Sequence, residues 1–328
     1  MGYCRVPRKP AVRSPIVPLL AASVALSAAA CAARQASAPT PDAGEARPAS
    51  LLPDVSGLAW LGGDRFLAVH DAKYPDEPGL PRVSLLRLPT GLGGVRWTPL
   101  RVAFPARSAT DLESVARVPD AGGRVRVLVA ESGEEVREKG STRRIFLLEI
   151  EGDDAEVVDQ VDWPIPTRNV EGIAVGESGG KRVFVFAERA DGEPATEIRF
   201  AELSLDPLAL GPFRSAGAFA SPGPVGPDAR PISALEVDAA GVVYAASAED
   251  PDVDDGPFRS AVYRIGRIVT TTGRPVVELD RRPALLATLD GLKVEALAAR
   301  QRADGTVELW VGVDDEYFGG TIRPLPER

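Results

Sequence analysis

Thiols and imidazoles are nearly missing from this 328-residue chain, which has two Cys, one His and one Met. That leaves almost no material for a zinc site, a thiol enzyme or a Ser-His-Asp triad, and it excludes a disulfide framework. Positive charge is also in short supply. There are 38 Lys+Arg against 47 Asp+Glu, a formal net charge of −9. An acidic chain lacks the basic surface that nonspecific nucleic-acid binding uses to displace counterions from phosphates. With so little sulfur and imidazole, a metal site here must be built from oxygen donors, which points to calcium or magnesium. What remains is ordinary globular material: 44% hydrophobic residues, 32 Gly and 30 Pro.

The first residues read as an address. Arg5, Arg8, Lys9 and Arg13 form a basic start without acids. The apolar stretch from Ile16 to Ala30 has the length of a signal core and is short for a membrane span. Ala28-Ala29-Ala30-Cys31 resembles a bacterial lipobox, with Ala28 where Leu is usual. Residues 1–31 are therefore expected to be a lipoprotein-type signal peptide with Cys31 as the lipidation site; ordinary cleavage nearby is the alternative. Either way the protein is expected to be exported, reaching the membrane only through its lipid. Residues 32–50 are rich in Ala, Pro and Ser and read as a flexible linker.

From residue 51 onward a repeat organises the chain. Asp54-Val-Ser56-Gly, Asp111-Leu-Glu113-Ser, Asn169-Val-Glu171-Gly, Pro231-Ile-Ser233-Ala and Lys293-Val-Glu295-Ala each open a short apolar strand. Each strand is followed by a Gly-containing turn and a second strand. The polar positions 56, 113, 171, 233 and 295 are spaced 57, 58, 62 and 62 residues apart. Such a repeat has room for about four strands of ordinary length, and no segment carries a sustained helical period. The fold class expected is all-β, a five-bladed β-propeller over residues 51–328, with six blades as the alternative. The last repeat is short of strand. Residues 45–52 are expected to pair with it and close the ring, removing its exposed edge.

One polar residue per innermost strand should place Ser56, Glu113, Glu171, Ser233 and Glu295 at one height around the axis. The residues two earlier, Asp54, Asp111, Asn169, Pro231 and Lys293, should form a neighbouring layer by strand alternation. Carboxylates converging in a narrow tunnel repel unless protonated or neutralised by a cation. Ser hydroxyls and waters can complete a shell of oxygens, which suits calcium better than magnesium. A hydrated polar tunnel without an ion is the alternative. Where the second strands end lie Asp71, Glu131, Glu188, Glu249 and Asp314-Asp315-Glu316, near Arg168, Arg189 and Arg230. These could form a mixed-charge cup around the ion, or plain surface charge.

The repeated strands Asp111-Leu-Glu113-Ser, Asn169-Val-Glu171-Gly, Pro231-Ile-Ser233-Ala-Leu and Lys293-Val-Glu295-Ala resemble the secreted phytase-like (esterase-like activity of phytase) propeller domain. The Ser-Glu-Glu-Ser-Glu order is similar to that of the calcium-activated nucleotidase (apyrase) family, a five-bladed propeller with one tunnel calcium ligand per blade. Asn169 and Lys293 match that family's flanking residues too. The resemblance implies tunnel calcium and a phosphate ester or anhydride as substrate. The chain departs from it at Asp111, where apyrases carry a basic residue, at His70-Asp71-Ala72-Lys73, where they carry paired Asp, and at Glu188-Arg189, where they carry paired Arg.

Two function classes remain open. In one, a calcium-dependent hydrolase uses Asp71 or Glu131 as base and Arg168, Arg189, Arg230, Lys293, Asp111 and Asn169 around a small phosphate substrate. In the other, a non-catalytic calcium-stabilised propeller binds a ligand or an unknown protein partner. His70 is expected to be structural rather than a base. Residues 249–256 resemble a calcium loop only loosely, because the Gly comes one residue late and Ala261 replaces the final acid. Trp60, Trp97, Trp163 and Trp310 are expected between blades.

Overall fold

Strands that are sandwiched on both faces lose the alternation of a half-exposed strand and read as continuous apolar runs. Most inner and second strands of this chain behave that way, while the edge strand at 154–162 alternates residue by residue. A computed structural model of the chain describes residues 51–73, 80–91, 94–119, 122–133, 135–136, 140–251, 256–314 and 319–326. The expected signal peptide, Cys31 and the linker lie outside the described residues. Residues 49–328 gather into one compact unit.

The first sheet is a four-stranded meander of β1 (Gly57–Gly62), β2 (Arg65–Val69), β3 (Val83–Arg87) and β4 (Arg96–Pro99). The second has β5 (Leu112–Arg117), β6 (Val125–Glu131), β9 (Arg144–Glu151) and β10 (Asp154–Asp162), with the small hairpin β7 (Glu135–Val136) and β8 (Gly140–Ser141) between. The third has β11 (Val170–Ser178), β12 (Lys181–Glu188) and β13 (Thr196–Leu205), which pairs with both β14 (Leu208–Leu210) and β15 (Arg214–Phe219). The fourth runs β16 (Ala229–Val237), β17 (Val242–Glu249), β18 (Arg259–Thr271) and β19 (Arg274–Asp290). The fifth has β20 (Val294–Gln301), β21 (Val307–Val313) and β22 (Thr321–Pro324). The first strands β1, β5, β11, β16 and β20 each touch the next, and β20 touches β1. The molecule is a five-bladed β-propeller, not a six-bladed one.

The hydrophobic core lies between the blades rather than on the axis. Five buried clusters each join one blade to its neighbour. Trp163 packs against Phe184 and Phe186 across blades two and three, and Trp310 meets Phe66 across blades five and one. Each fully buried side chain of this size contributes about 1.5–3 kcal/mol. Because the apolar material is spent between the sheets, the axis is free for polar groups.

Each inner strand carries an irregularity at its repeated polar residue. In β5, Leu112 faces Glu131 and Ser114 faces Ala130, so Glu113 is an extra residue. Glu171 in β11 and Glu295 in β20 are extra in the same way. In β16 residues 231–233 oppose Ser247 alone, at a proline that has no N–H to give the ladder. The Ser56 N–H donates to Val69 O, the same residue that Gly57 pairs with, so Ser56 and Gly57 both oppose Val69. A bulge re-aims a side chain out of the regular pleat, and here it does so once per blade. Simple alternation therefore does not place the neighbouring layer. Asp111 and Asn169 lie before their strands with φ of 59° and 40°.

The ring closes through backbone contacts just before β1. Gly320 N–H donates to Leu52 O at 2.7 Å and Val55 N–H to Val313 O at 3.4 Å. Residues 45–50 of the expected closing segment lie outside the described residues; Leu52 does meet the last blade. A Cβ on Gly320 would lie 2.2 Å from Pro53 O. Gly320→Ala is therefore expected to pry this closure open at a cost of about 2 kcal/mol, lowering the melting temperature by roughly 4–8 °C in a thermal unfolding scan.

Candidate functional site

The residue after each bulge is small: Gly57, Ser114, Gly172, Ala234 and Ala296. A Cβ on Gly172 would meet Leu235 at 2.8 Å and one on Gly57 would meet Val69 at 2.8 Å, so small residues let the inner strands close tightly. The waist they form holds a cavity of only ≈ 10 Å³, about the room of one water. Above it sit the five repeated residues. Ser56, Glu113, Glu171, Ser233 and Glu295 are all buried, and Ser56, Glu171 and Glu295 border the same waist.

Every axial carboxylate meets a cation from the chain itself. Lys73 Nζ lies 2.9 Å from Glu113, 2.5 Å from Asp111 and 2.7 Å from Asp71. These three acids each offer an oxygen within 4.8 Å of one another. Ser132 also donates to Asp111. Arg189 pairs with Glu171 at 3.2 Å and with Asp191 at 2.8 Å. With its amide oriented to satisfy both ends, Asn169 donates to Glu171 and accepts from Arg189 at 2.8 Å. Arg230 reaches Glu295 at 2.9 Å, Asp250 at 2.6 Å and Asp191 at 3.3 Å. Lys293 reaches Asp314 at 2.7 Å and Asp250 at 3.2 Å. The result is a chain of ion pairs around the upper mouth. In each group the carboxylates outnumber the cations.

Burial raises the affinity of Glu113, Glu171 and Glu295 for a proton. Lys73 opposes this at Glu113, where Glu171, Asp71 and Asp111 reinforce it. At Glu295 the Asp314 charge reinforces burial and Lys293 opposes it. At Asp111 burial acts upward too, but Lys73 and Ser132 outweigh it and hold the carboxyl below its ordinary range. The arrangement is a store of negative charge built from hard oxygen donors, the chemistry that calcium takes. The donor set fits a divalent cation best at Asp71, Asp111 and Glu113, where one ammonium now touches all three.

Other expected residues are placed differently. Glu131 is fully buried away from the axis, accepting from Thr110 N, Arg144 N and the Arg144 guanidinium, the last at 2.6 Å. Both its oxygens are taken up by these partners, and it anchors blade two. Arg189, Arg230 and Lys293 are turned inward onto acids rather than outward toward a ligand. Arg168 is exposed, and its backbone N–H donates to Glu188 at 2.8 Å. Glu249 pairs with exposed Arg259, and its neighbour Asp250 takes the place in the cup. Asp315, Glu316 and residues 252–255 lie outside the described residues. Lys73, Asp191 and Asp250 were not among the expected site residues. Their one sequence signal is position, since each follows the end of a second strand, as Asp71 and Asp314 do.

His70 is buried, with Nδ1 donating to Asp54 O at 2.7 Å and Nε2 accepting from Ser84 Oγ at 2.9 Å. Both ring nitrogens are used, so it ties blade one together as a neutral imidazole.

No protein-family model matches the chain, and no curated protein matches it. Among solved structures it is similar to an alpha-L-arabinofuranosidase from Lactobacillus brevis, with a TM-score of 0.50 and 13% identity, covering 84% of this chain and 91% of that one. It is also similar to an endo-1,4-beta-xylanase from Bacteroides thetaiotaomicron, with a TM-score of 0.47 and 12% identity, covering 83% and 89%. At this identity the first likeness speaks for the propeller fold and nothing finer.

Burial lowers the His70 pKa to about 4, against which the Asp54 carbonyl bond works upward. The unfolded chain then binds a proton near pH 6.5 that the folded chain refuses until about 4. Stability from this group is full above pH 6.5 and is lost as pH falls toward 4, by about 3 kcal/mol. In His70→Gln, denaturant titrations across that window should lack this part of the pH dependence.

Proposed function

We propose that the upper mouth of the propeller binds a divalent cation, calcium by its donor chemistry, and that the protein is a cation-dependent hydrolase of phosphate esters or anhydrides at the cell envelope, tethered through Cys31. The observation that carries this reading is the convergence of Asp71, Asp111 and Glu113 on a single position held by Lys73 Nζ. Glu171, Glu295, Ser56 and Ser233 extend the oxygen set along the axis. An anionic substrate would be repelled by this cup while carboxylates are in excess; a bound cation reverses that. Calcium when bound supplies a Lewis acid for a phosphoryl oxygen. Asp71 is the most open of the three acids, with 41% of its side chain exposed against 8% and 6% for Asp111 and Glu113. On this reading it takes a proton from an attacking water. Arg168, which is exposed, supplies the guanidinium donors that suit phosphate, while Arg189 stays on Glu171 and Asp191. Asn169 orients Glu171 and Arg189 toward each other.

One observation favours a second reading. Glu113, Glu171 and Glu295 already have their own cations, so the ring is neutralised in part without any ligand. On that reading the cation stabilises the propeller and the rim binds a ligand or protein partner without catalysis.

If the cation reading holds, calcium at 100 times its Kd stabilises the fold by about 2.7 kcal/mol, and chelation lowers the melting temperature by roughly 5 °C or more. Asp111→Asn and Glu113→Gln should lose that response, and Lys73→Met, which removes the competing ammonium, should strengthen it. A melting temperature indifferent to calcium and chelator in the wild type removes the proposal. The hydrolase is tested separately by phosphate release from a phosphoester and nucleotide panel with and without calcium. Release should require calcium and fall at least tenfold in Glu171→Gln; no release from any compound, with the calcium response intact, selects the non-catalytic reading.

A further inference from the structure

The tunnel has a second mouth, at the ends of the inner strands. There the five blades enclose a pocket of ≈ 900 Å³, within the size range of small-molecule sites. Every inner strand contributes to its wall, among them Trp60 from β1, Arg117 from β5, Val175 from β11, Glu236 from β16 and Ala299 from β20. Val175 lies four residues beyond Glu171, so the pocket sits about 13 Å along the strand from the carboxylate ring. The narrow waist, with room for about one water, lies between them. The two mouths are separate sites.

The charges in this lower pocket are mostly committed. Arg300 and Arg302 pair with Glu308 at 3.1 and 2.6 Å. Asp238 accepts from Ala240 N, Val242 N and the Tyr244 hydroxyl. Glu236 uses its two oxygens to accept from Val237 N at 2.8 Å and Ala299 N at 3.2 Å. Arg117 is different. Its guanidinium lies 5.3 Å over the Trp60 ring, and among the described residues its hydrogen bond is one long contact to Trp60 O at 3.4 Å. A guanidinium has five N–H donors in a planar fork that matches a carboxylate. Stacking on Trp60 holds that fork in place without using its donors. Burial pushes the Glu236 carboxyl up to about 8, so near neutral pH it does not cancel the Arg117 charge. Around the fork the wall is apolar, from Val175, Val237 and Val307.

We infer that the lower mouth is a second ligand site, for a small organic acid that sets its carboxylate on Arg117 and its flat apolar part against the Val-lined wall. The inference is independent of the cation reading of the upper mouth.

The test is calorimetric titration of the wild-type protein with indole-3-acetate and with its neutral isostere indole-3-acetamide, in the presence of a chelator. The acid should bind with a micromolar to low-millimolar Kd and the amide at least tenfold more weakly. Arg117→Gln, which removes the charge and keeps a shorter polar side chain, should weaken the acid at least tenfold and leave the amide unchanged. Its melting temperature reports whether the fold survives. Ala299→Phe, which puts a ring into the pocket from a different blade, should weaken both compounds. Equal binding of acid and amide, no binding of either at millimolar concentration, or wild-type affinity in both variants overturns the inference.

Discussion

Three buried glutamates cannot share the axis of a propeller as anions unless positive charge stands among them. Everything at the upper face of this protein answers that constraint. Glu113, Glu171 and Glu295 sit where water is scarce and where each feels the others. Lys73, Arg189, Arg230 and Lys293 are drawn in from the exits of the second strands and the starts of the inner ones. A buried ion pair stabilises little in net terms, because desolvation offsets attraction, but breaking one leaves a charge stranded. The ring of pairs therefore acts less as a source of stability than as a device that fixes which group faces the axis.

That device depends on a backbone irregularity. A regular strand would alternate its side chains and give the axis every second residue. The bulges at Glu113, Glu171, Ser233 and Glu295 interrupt the ladder and direct one polar residue inward in each of blades two to five. Small residues then follow, so the strands can close beneath the polar layer. The two mouths are chemically unlike as a consequence. The upper one is a crowd of carboxylates and cations, and the lower one is an apolar pocket with a single stacked guanidinium. Bonding the blades to one another through five apolar layers leaves both mouths open to polar chemistry without cost to the core.

The site was partly legible from residue order. The spacing of positions 56, 113, 171, 233 and 295 located the axial column, because a repeated fold returns the same strand position to the same place. Arg189, Arg230 and Lys293 were singled out from the sequence as well, but Lys73, Asp191 and Asp250 were not. Lys73, Asp191 and Asp250 come from loops that follow second strands, where length and composition vary from blade to blade. Glu131 illustrates the reverse failure. It holds the register place of His70, one residue before that of Asp71, and Arg144 on the adjacent strand and the Thr110 N–H make it a buried anchor. Equivalent positions in a repeat share a backbone place, not a side-chain partner.

The all-β propeller class and the recurrence of one polar strand position per repeat were legible in the sequence alone, since periodic apolar strands separated by glycine turns have few ways to bury both faces. Partnership was decided only in three dimensions. Which cation neutralises which acid, whether a carboxylate looks inward or anchors a blade, and that Trp60, Arg117 and Glu236 share a pocket all depend on contacts between residues far apart in the chain. Electrostatic pairing and desolvation act through distance in space, and linear order does not carry that distance.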